Sequence, residues 1–304
     1  MKVLVTGGLG FIGSHTVVEL QNEGFEVIII DNLSNTSLSV LDGIQNITGK
    51  VPAFEQLDLR DKNKVQDFFK RHTDIEGVIH FAASKAVGES VGNPLLYYEN
   101  NINVLVYILQ ELEKKHTANL IFSSSCTVYG QAEKMPITED SSVQTAMSPY
   151  GNTKQIGELP LGVPQNVVPF ITQTGIGLRQ EFSVYGDDYP TPDGTAIRDY
   201  IHVVDLAKAH VIAMQRLLNK KNQDKVETFN LGTGTGSSVL EVIHAFEKVS
   251  GQKLPYKIVA RREGDITEAY ANTHKANTIL GWKAQSTLEE AMASAWKWEQ
   301  KIRS

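Results

Sequence analysis

Lys2-Val3-Leu4-Val5-Thr6 runs straight into Gly7-Gly8-Leu9-Gly10-Phe11-Ile12-Gly13, and an amphipathic stretch, Ser14 to Asn22, follows. A buried strand breaking into a glycine turn and then a helix is a phosphate-binding arrangement. Gly7 and Gly10 let the backbone turn sharply and approach a pyrophosphate. Gly13 lets the helix pack on the strand, and the helix N-terminus around Phe11 and Ile12 offers free N–H groups. The spacing is G-x-x-G-x-x-G rather than G-x-G-x-x-G. Eighteen residues after Gly13 the next apolar run, Val27-Ile28-Ile29-Ile30, ends in Asp31. A carboxylate there accepts hydrogen bonds from an adenosine ribose and repels a 2′-phosphate, so the expected cofactor is NAD rather than NADP. The bland reading is a glycine-rich turn with an incidental acid; the order strand, turn, helix, strand, acid argues against it.

Outward from that turn, apolar runs at Val3–Val5, Val27–Ile30, Ala53–Leu57, Gly77–Ala82 and Asn119–Ser123 alternate with helical stretches such as Lys62–Lys70 and Pro94–Lys115. That rhythm predicts a doubly wound parallel sheet of Rossmann type. The helix expected over Pro94–Lys115 has proline in its first turn and ends in Lys114-Lys115-His116, cations suited to a helix C-terminus. Beyond residue 158 prolines cut the chain into shorter pieces. The fold class expected is therefore α/β, with a dinucleotide-binding domain over 1–158 and a smaller C-terminal α/β substrate domain over 159–304, some segments returning to the first sheet. In the second part helices are predicted at Val204–Leu218, Ser238–Ser250 and Leu288–Lys301, and a strand at Glu227–Leu231.

With 304 residues, 41% hydrophobic and 21% charged, the chain can bury a large core, and nothing in it reads as low-complexity or repeated. A net charge of −6 argues against nucleic acid or an anionic membrane as partner. No apolar run reaches membrane-spanning length, the N-terminus enters a fold element with no cleavable segment, and a lone cysteine, Cys126, excludes an intrachain disulfide. A reducing cytoplasm is the expected location. The eight histidines show no ligand spacing, so no metal is expected.

The chemistry sits where Asn119–Ser123 leads into Ser124-Ser125-Cys126-Thr127-Val128-Tyr129-Gly130, with Tyr150-Gly151-Asn152-Thr153-Lys154 downstream. Tyr150 and Lys154 at i and i+4 share a helix face, where the ammonium stabilises a phenolate and lowers the tyrosine pKa. Tyr150 becomes a general base for a sugar or steroid hydroxyl, with Ser125 hydrogen-bonding the same oxygen. With ten tyrosines a bare Y-x-x-x-K is weak; the serine strand and the N-terminal glycine turn make it specific. Cys126 lacks a nearby histidine and reads as a small filler. Tyr97 and Tyr98 read as packing groups.

With these residues in place the chain resembles the extended short-chain dehydrogenase/reductase superfamily and, within it, the UDP-glucose 4-epimerase family. The superfamily features are T-G-G-x-G-F-I-G-S-H and Y-x-x-x-K. The narrower ones are Asp31-Asn32-Leu33-Ser34-Asn35, Phe81-Ala82-Ala83 with Lys85-Ala86-Val87-Gly88-Glu89-Ser90, and Gly186-Asp187-Asp188-Tyr189-Pro190-Thr191-Pro192-Asp193-Gly194-Thr195 leading to Arg198-Asp199-Tyr200-Ile201-His202. The resemblance covers nearly the whole chain. It implies that Asp31, Asn32 and Asn35 bind adenosine and that Asp58 and Leu59 approach adenine. It further implies that Phe81, Ala82, Ala83 and Lys85 line the cofactor groove and that Asn100 and Ser123 lie near the nicotinamide. It implies a UDP-sugar substrate, interconversion of UDP-glucose and UDP-galactose through a 4-keto sugar, and a homodimer.

Arg198 and Arg262 are candidates for the diphosphate of the substrate, since a guanidinium grips two phosphate oxygens and keeps its charge when partly buried. Their bland alternative is a surface ion pair with a nearby acid such as Asp199 or Glu263. The resemblance adds Asn166, Tyr185 and Asp265 as nucleotide and sugar contacts. It puts Ala269 where family members carry either tyrosine or a small residue, and a small residue leaves room for an N-acetyl group. Cys126 and Thr127 stand where a dehydratase places Asp-Glu, which argues against net dehydration.

The chain departs from the family pattern after Lys154. Gln155-Ile156-Gly157-Glu158 meets Leu159-Pro160-Leu161-Gly162, and Pro160 forbids further helix. Family members place roughly three dozen residues between the counterparts of these stretches, far more than an ordinary loop. That piece carries an Arg-Tyr-Phe-Asn-Pro strand and most of a dimerisation helix. Two alternatives follow: a remnant that holds NAD without turning over sugar, or an epimerase for UDP-glucuronate or a UDP-pentose.

Overall fold

The computed structural model describes residues 1–115, 119–130, 132, 134–146, 148–158, 167–261 and 265–301, and the side chains of Val87, Cys126, Thr127 and Glu158 fall outside that description. Five strands form one parallel sheet: β1 (Lys2–Thr6), β2 (Glu26–Asp31), β3 (Ala53–Gln56), β4 (Ile75–His80) and β5 (Leu120–Phe122), in the order β3-β2-β1-β4-β5. The order reverses between β1 and β4. Such a switch point opens a crevice beyond the carboxyl ends of the strands, where ligands bind in open α/β sheets.

The strands are near-continuous apolar runs because both faces are covered. Leu4, Ile28, Ile30 and Val78 face one core with Phe68 and Ile108, whereas Val3, Val5, Val27, Ile29 and Ile79 face another with Val17, Leu20 and Met214. The covering helices are α1 (Phe11–Asn22), α2 (Ser39–Thr48), α3 (Lys62–Arg71), α4 (Val87–Gly92), α5 (Pro94–Tyr98) and α6 (Val104–Lys114). Asp61 caps α3, its carboxylate accepting from the Asn63 and Lys64 N–H groups.

The helix expected over Pro94–Lys115 needs a correction. Between α5 and α6 the residues Glu99–Asn103 form a π turn, so the helix gains a residue where Asn100 and Asn101 sit. After β5 a 3₁₀ turn at Cys126–Tyr129 leads toward α7 (Pro149–Glu158), which carries Tyr150 and Lys154, and the next described element is a helix, α8 (Val167–Gly175). Among the described residues no strand pairs with the outer edge of β5.

Beyond α8, β6 (Phe182–Tyr185) pairs in parallel with β9 (Tyr256–Val259), while β7 (Ile197–Arg198) lies between antiparallel β8 (Ser237–Ser238) and parallel β10 (Glu268–Ala269). Helix α9 (Val203–Leu218) lays Val211 and Met214 on the second core of the large sheet. Helix α10 (Val239–Ser250) starts at a capping box, Ser238 with Glu241, and packs Phe246 edge-on against Trp296 of α11 (Leu288–Lys301). The strand expected at Glu227–Leu231 does not form. Its polar groups are taken by side chains instead: Arg216 binds the Glu227 carboxylate at 2.7 and 2.9 Å, and the Asn230 N–H donates to Glu139 at 2.6 Å.

Candidate active site

The sequence of events at the end of β1 follows from the glycines. Gly7 has φ +68°, a left-handed conformation suited to glycine, and a Cβ there would lie 2.8 Å from the Ala82 nitrogen. A Cβ on Gly13 would collide with the Gly7 carbonyl oxygen. The turn is therefore as tight as its residues allow. Gly10 is the extended N-cap residue of α1 and offers no side-chain cap. The first-turn N–H groups, at the helix's positive end, are left for a ligand, and Phe11 and Ile12 line the cavity described below.

Asp31 closes β2 and is 7% exposed. Its carboxylate is aimed by the Leu33 N–H at 3.0 Å, the Thr36 hydroxyl at 2.9 Å and the Leu9 N–H at 3.3 Å. This fixes an acid beside the glycine turn. Asn32 caps the following turn, accepting from the Ser34 N–H, while Asn35 is exposed. Asp58 is held by Arg60 at 2.6 Å, which keeps its carboxyl below the usual range, and the Asn32 side chain acts in the same direction. The Leu59 side chain is in the core, packed with Phe68 and Val65, so only its backbone can meet a base. A capless helix start, a close-packed glycine turn and a fixed acid fit the diphosphate and ribose of NAD.

The loop after β4 completes this wall. Phe81 packs on His210 with ring centroids 4.8 Å apart, the Ala82 N–H points at Thr6 Oγ1, Ala83 is half-buried and Lys85 is exposed. Asn100 Nδ2 donates to Ser84 Oγ at 2.9 Å.

On α7, Tyr150 and Lys154 are one turn apart and 4% and 5% exposed. The Lys154 ammonium donates to the Ser123 carbonyl at 2.8 Å and lies 4.6 Å from the centre of the Phe122 ring. Lysine is thereby tied to the end of β5, from which Ser123, Ser124 and Ser125 continue into the cavity lining with Tyr150. The positive charge is felt behind the sheet: buried His80, on Thr6 Oγ1 at 2.7 Å, is pushed down to about 3 by burial and then by Lys154.

The second half of the chain also contributes to the cavity lining. Parallel pairing of β7 with β10 sets Arg198 beside Ala269. Arg198 Nη2 binds Asp265 at 2.5 Å, and its other donors reach the carbonyls of Ile266 and Ile197. Arg198 is thus in an ion pair with an acid, as the bland alternative has it, but with Asp265 and not Asp199, whose carboxylate is taken up by Thr233 and the Ala271 N–H; Glu263 is outside the described residues. A cavity of about 2510 Å³ brings Lys85, Ser125, Tyr150, Tyr185, Arg198, Asp265 and Ala269 together. Asn166 and Arg262 lie outside the described residues, as does the Cys126 side chain.

Several groups escaped the sequence reading. Ser124 Oγ is buried with no hydrogen-bond partner among the described residues and borders the cavity. Thr6, His80, Ser84, Asn101 and Thr153 form hydrogen bonds around the site. The adjacent asparagines at 100 and 101, poor formers in mid-helix, were the available signal. Tyr97, fully buried, does pack, yet its hydroxyl also binds Ala86 and Glu89.

Residues 3–161 match the model of the NAD dependent epimerase/dehydratase family, and residues 159–295 match that of GDP-mannose 4,6 dehydratase. A UDP-glucose 4-epimerase of Bacillus subtilis is 45% identical, the match covering 98% of this chain and 97% of that one. The alignment runs over 333 positions, more than the 304 residues here, so the relative carries stretches this chain lacks. A crystal structure of UDP-glucose 4-epimerase from Stenotrophomonas maltophila with bound NAD and formylated UDP-arabinopyranose superposes with a TM-score of 0.93 at 42% identity, covering 100% of this chain and 99% of that one. The enzyme from Bifidobacterium longum, in complex with NAD+ and UDP, gives 0.93 at 41%, with coverage of 100% and 99%. The chain belongs to the NAD-dependent epimerase/dehydratase family, and within it its similarity is to the UDP-glucose 4-epimerases.

Proposed function

We propose that this protein interconverts UDP-glucose and UDP-galactose at C4, with NAD held by the glycine turn, Asp31, Asn32, Asn35, Asp58 and the Phe81–Lys85 loop. The observation that carries this reading is a cavity whose lining includes Tyr150 and Ser125, Arg198, Asp265 and Ala269, and Phe11 and Ile12 at the start of α1. Bound NAD supplies a hydride acceptor that returns the hydride in the same turnover. Tyr150, its phenolate stabilised by Lys154, removes the proton of the sugar 4-hydroxyl and later gives it back. Ser125 hydrogen-bonds the same oxygen, and Arg198 with Arg262 grips the diphosphate while the keto sugar turns over. Asn166, Tyr185 and Asp265 contact the nucleotide and sugar. Asn100 and Ser123 border the nicotinamide. The two alternatives are less favoured, since the catalytic groups named are present together and the relatives above are UDP-glucose 4-epimerases.

The test is conversion of UDP-galactose to UDP-glucose by purified protein. Tyr150→Phe is expected to cut kcat by about 10²–10⁴-fold while the protein retains its NAD. Equal turnover by the variant, or none by the native protein, overturns the reading. Ala269 borders the cavity, and a small residue where some family members carry tyrosine is the ground for expecting UDP-N-acetylglucosamine to be a substrate as well. Ala269→Tyr is expected to abolish that turnover and spare UDP-galactose; a native enzyme active on UDP-galactose alone rejects it.

The remaining partner is a second copy of the chain, on the supporting ground that apolar Val91, Leu95, Val106, Leu109 and Ile156 are exposed on α4 to α7. A cytoplasmic location is supported by the single cysteine and by the lack of any described helix long and apolar enough to cross a membrane.

A further inference from the structure

Ser125 and Tyr150 serve the same sugar oxygen, yet they stand at the two ends of a long connection, residues 126–149. It exceeds the roughly 12–15 residues beyond which structureless loops become uncommon. One residue from the other half of the chain holds this connection at three points. Asn230 Oδ1 accepts from the Tyr129 hydroxyl at 2.8 Å, its Nδ2 donates to the Ile137 carbonyl at 3.2 Å, and its backbone N–H donates to Glu139 Oε1 at 2.6 Å. A carbonyl only accepts, so Ile137 fixes the orientation of the amide and turns Oδ1 toward Tyr129.

Both sides of this joint lead to the cavity. On one side the Val128 N–H donates to the Ser125 carbonyl at 3.1 Å, closing the 3₁₀ turn of Cys126–Tyr129 directly on the serine. On the other, Ile137 pairs in parallel with Ala271: its N–H donates to the Tyr270 carbonyl at 3.0 Å, and its carbonyl accepts from the Asn272 N–H at 2.7 Å. That pairing lies just beyond β10, whose Ala269 borders the cavity. Val128, Tyr129, Ile137 and Ala269 share one buried apolar cluster. Apolar packing is not directional, so the bonds of Asn230 set the register of these surfaces.

We propose that Asn230 is a positioning residue which, through the Tyr129 hydroxyl, holds the serine turn in register with the strand bordering the sugar while the keto sugar turns between its two hydride transfers. This role rests on the functional reading above for the reaction itself. Asn230 acts on Ser125 through Tyr129 and on the Ala269 strand through Ile137. In the forward half the C4 hydride goes to NAD and the hydroxyl proton to Tyr150, leaving a ketone; in the return half both come back. With the register lost, Ser125 is misaligned with the reacting oxygen and the ketone escapes in a fraction of turnovers. The protein is then left with NADH and a protonated Tyr150.

The test compares the native holoprotein with Tyr129→Phe, Asn230→Ala and the two combined, each rate divided by its bound NAD. Tyr129→Phe keeps the ring in the apolar cluster and removes only the hydroxyl. It is expected to lower kcat for UDP-galactose about tenfold, and Asn230→Ala about ten- to a hundredfold, the size expected for misplaced reacting groups. KM is expected to stay within about twofold. The double variant is expected to cost no more than Asn230→Ala, because the hydroxyl acts through the amide. Reduced nicotinamide, read by its fluorescence, is expected to build up during turnover in both single variants and not in the native protein. Hydrogen exchange is expected to quicken over Cys126–Tyr129 in Tyr129→Phe, and over both Cys126–Tyr129 and residues 137–139 in Asn230→Ala. Unchanged kcat in Tyr129→Phe, additive losses in the double variant, or a loss confined to KM overturns the proposal. Should Asn230→Ala fail to fold, Tyr129→Phe decides it by kcat, fluorescence and exchange. A native protein that turns over no UDP-galactose overturns the functional reading instead; the exchange pattern then decides the joint, and unchanged rates overturn it.

Discussion

His80 and His210 are both buried imidazoles, and burial is the first cause of their low basicity: His80 is pushed down to about 3, with Lys154 adding to the effect, and His210 to about 4. In the unfolded chain each titrates near 6.5. The folded pKa lies below the unfolded one, so between the two values the unfolded chain binds more protons. Stability from keeping these rings neutral is intact above pH 6.5 and is lost as pH falls toward 4 and 3. At pH 5 each costs about 2 kcal/mol. Urea unfolding at pH 7 and pH 5 is the check: wild type is expected to lose about 2 kcal/mol more than His210→Gln on that change, because glutamine takes up no proton. Equal losses in the two proteins would mean His210 is not held neutral. None of this was legible in the sequence, since a histidine spaced like any other gains its low pKa only from what the sheet and α9 stack around it. Tyr150, Lys154 and Asp31 were legible because their spacing from strand and turn is itself the chemistry. Arg198 was singled out as a candidate, with acids near it in sequence such as Asp199 as its bland ion-pair partners, whereas the fold pairs it with Asp265 from beside β10.

Elements were readable in proportion to how completely their own residues determine them. The five strands of the large sheet are buried on both faces, so each announces itself as an apolar run, and alternate residues such as Leu4 and Val5 serve different cores. Ser238 and Glu241 form a reciprocal cap, and the predicted start of α10 falls there. Where bonding comes from elsewhere, the reading failed. Glu227–Leu231 has the composition of a strand, yet Arg216 and Glu139 claim polar groups of it and, among the described residues, no strand pairs with it. The pair β6 and β9 went unseen because Tyr256, Lys257 and Ile258 are exposed and present no apolar run. The π turn is the sharpest case. Nothing local in Glu99–Asn103 demands an extra residue; Ser84 and Thr153, 17 and 52 positions away from Asn101, supply the bonds that hold it.

At the scale of the whole molecule β5 is the last strand of the large sheet among the described residues, and the relative from Bacillus subtilis aligns over more positions than this chain has residues. The contact proposed between two copies of the chain falls on the faces of α4 to α7. Leu95 is 79% exposed and Val91 63%, with Val106, Leu109 and Ile156 each 40–46%, an amount of uncovered apolar side chain that marks an interface in a folded chain. A stable dimer buries roughly 1,200–2,000 Å² in total, within reach of these helices packed on their copies. Light scattering on the eluting protein is expected to give twice 33.6 kDa. Leu109→Glu would place a charge on the buried side of that contact and is expected to yield a 33.6 kDa species with unchanged far-ultraviolet circular dichroism. Leu109 is exposed at the surface of α6, so the substitution leaves the monomer's core intact, and a shift in mass without a shift in helix content reports the interface alone. A native protein already at 33.6 kDa would mean that these helices do not hold two copies together and that the apolar face has another use.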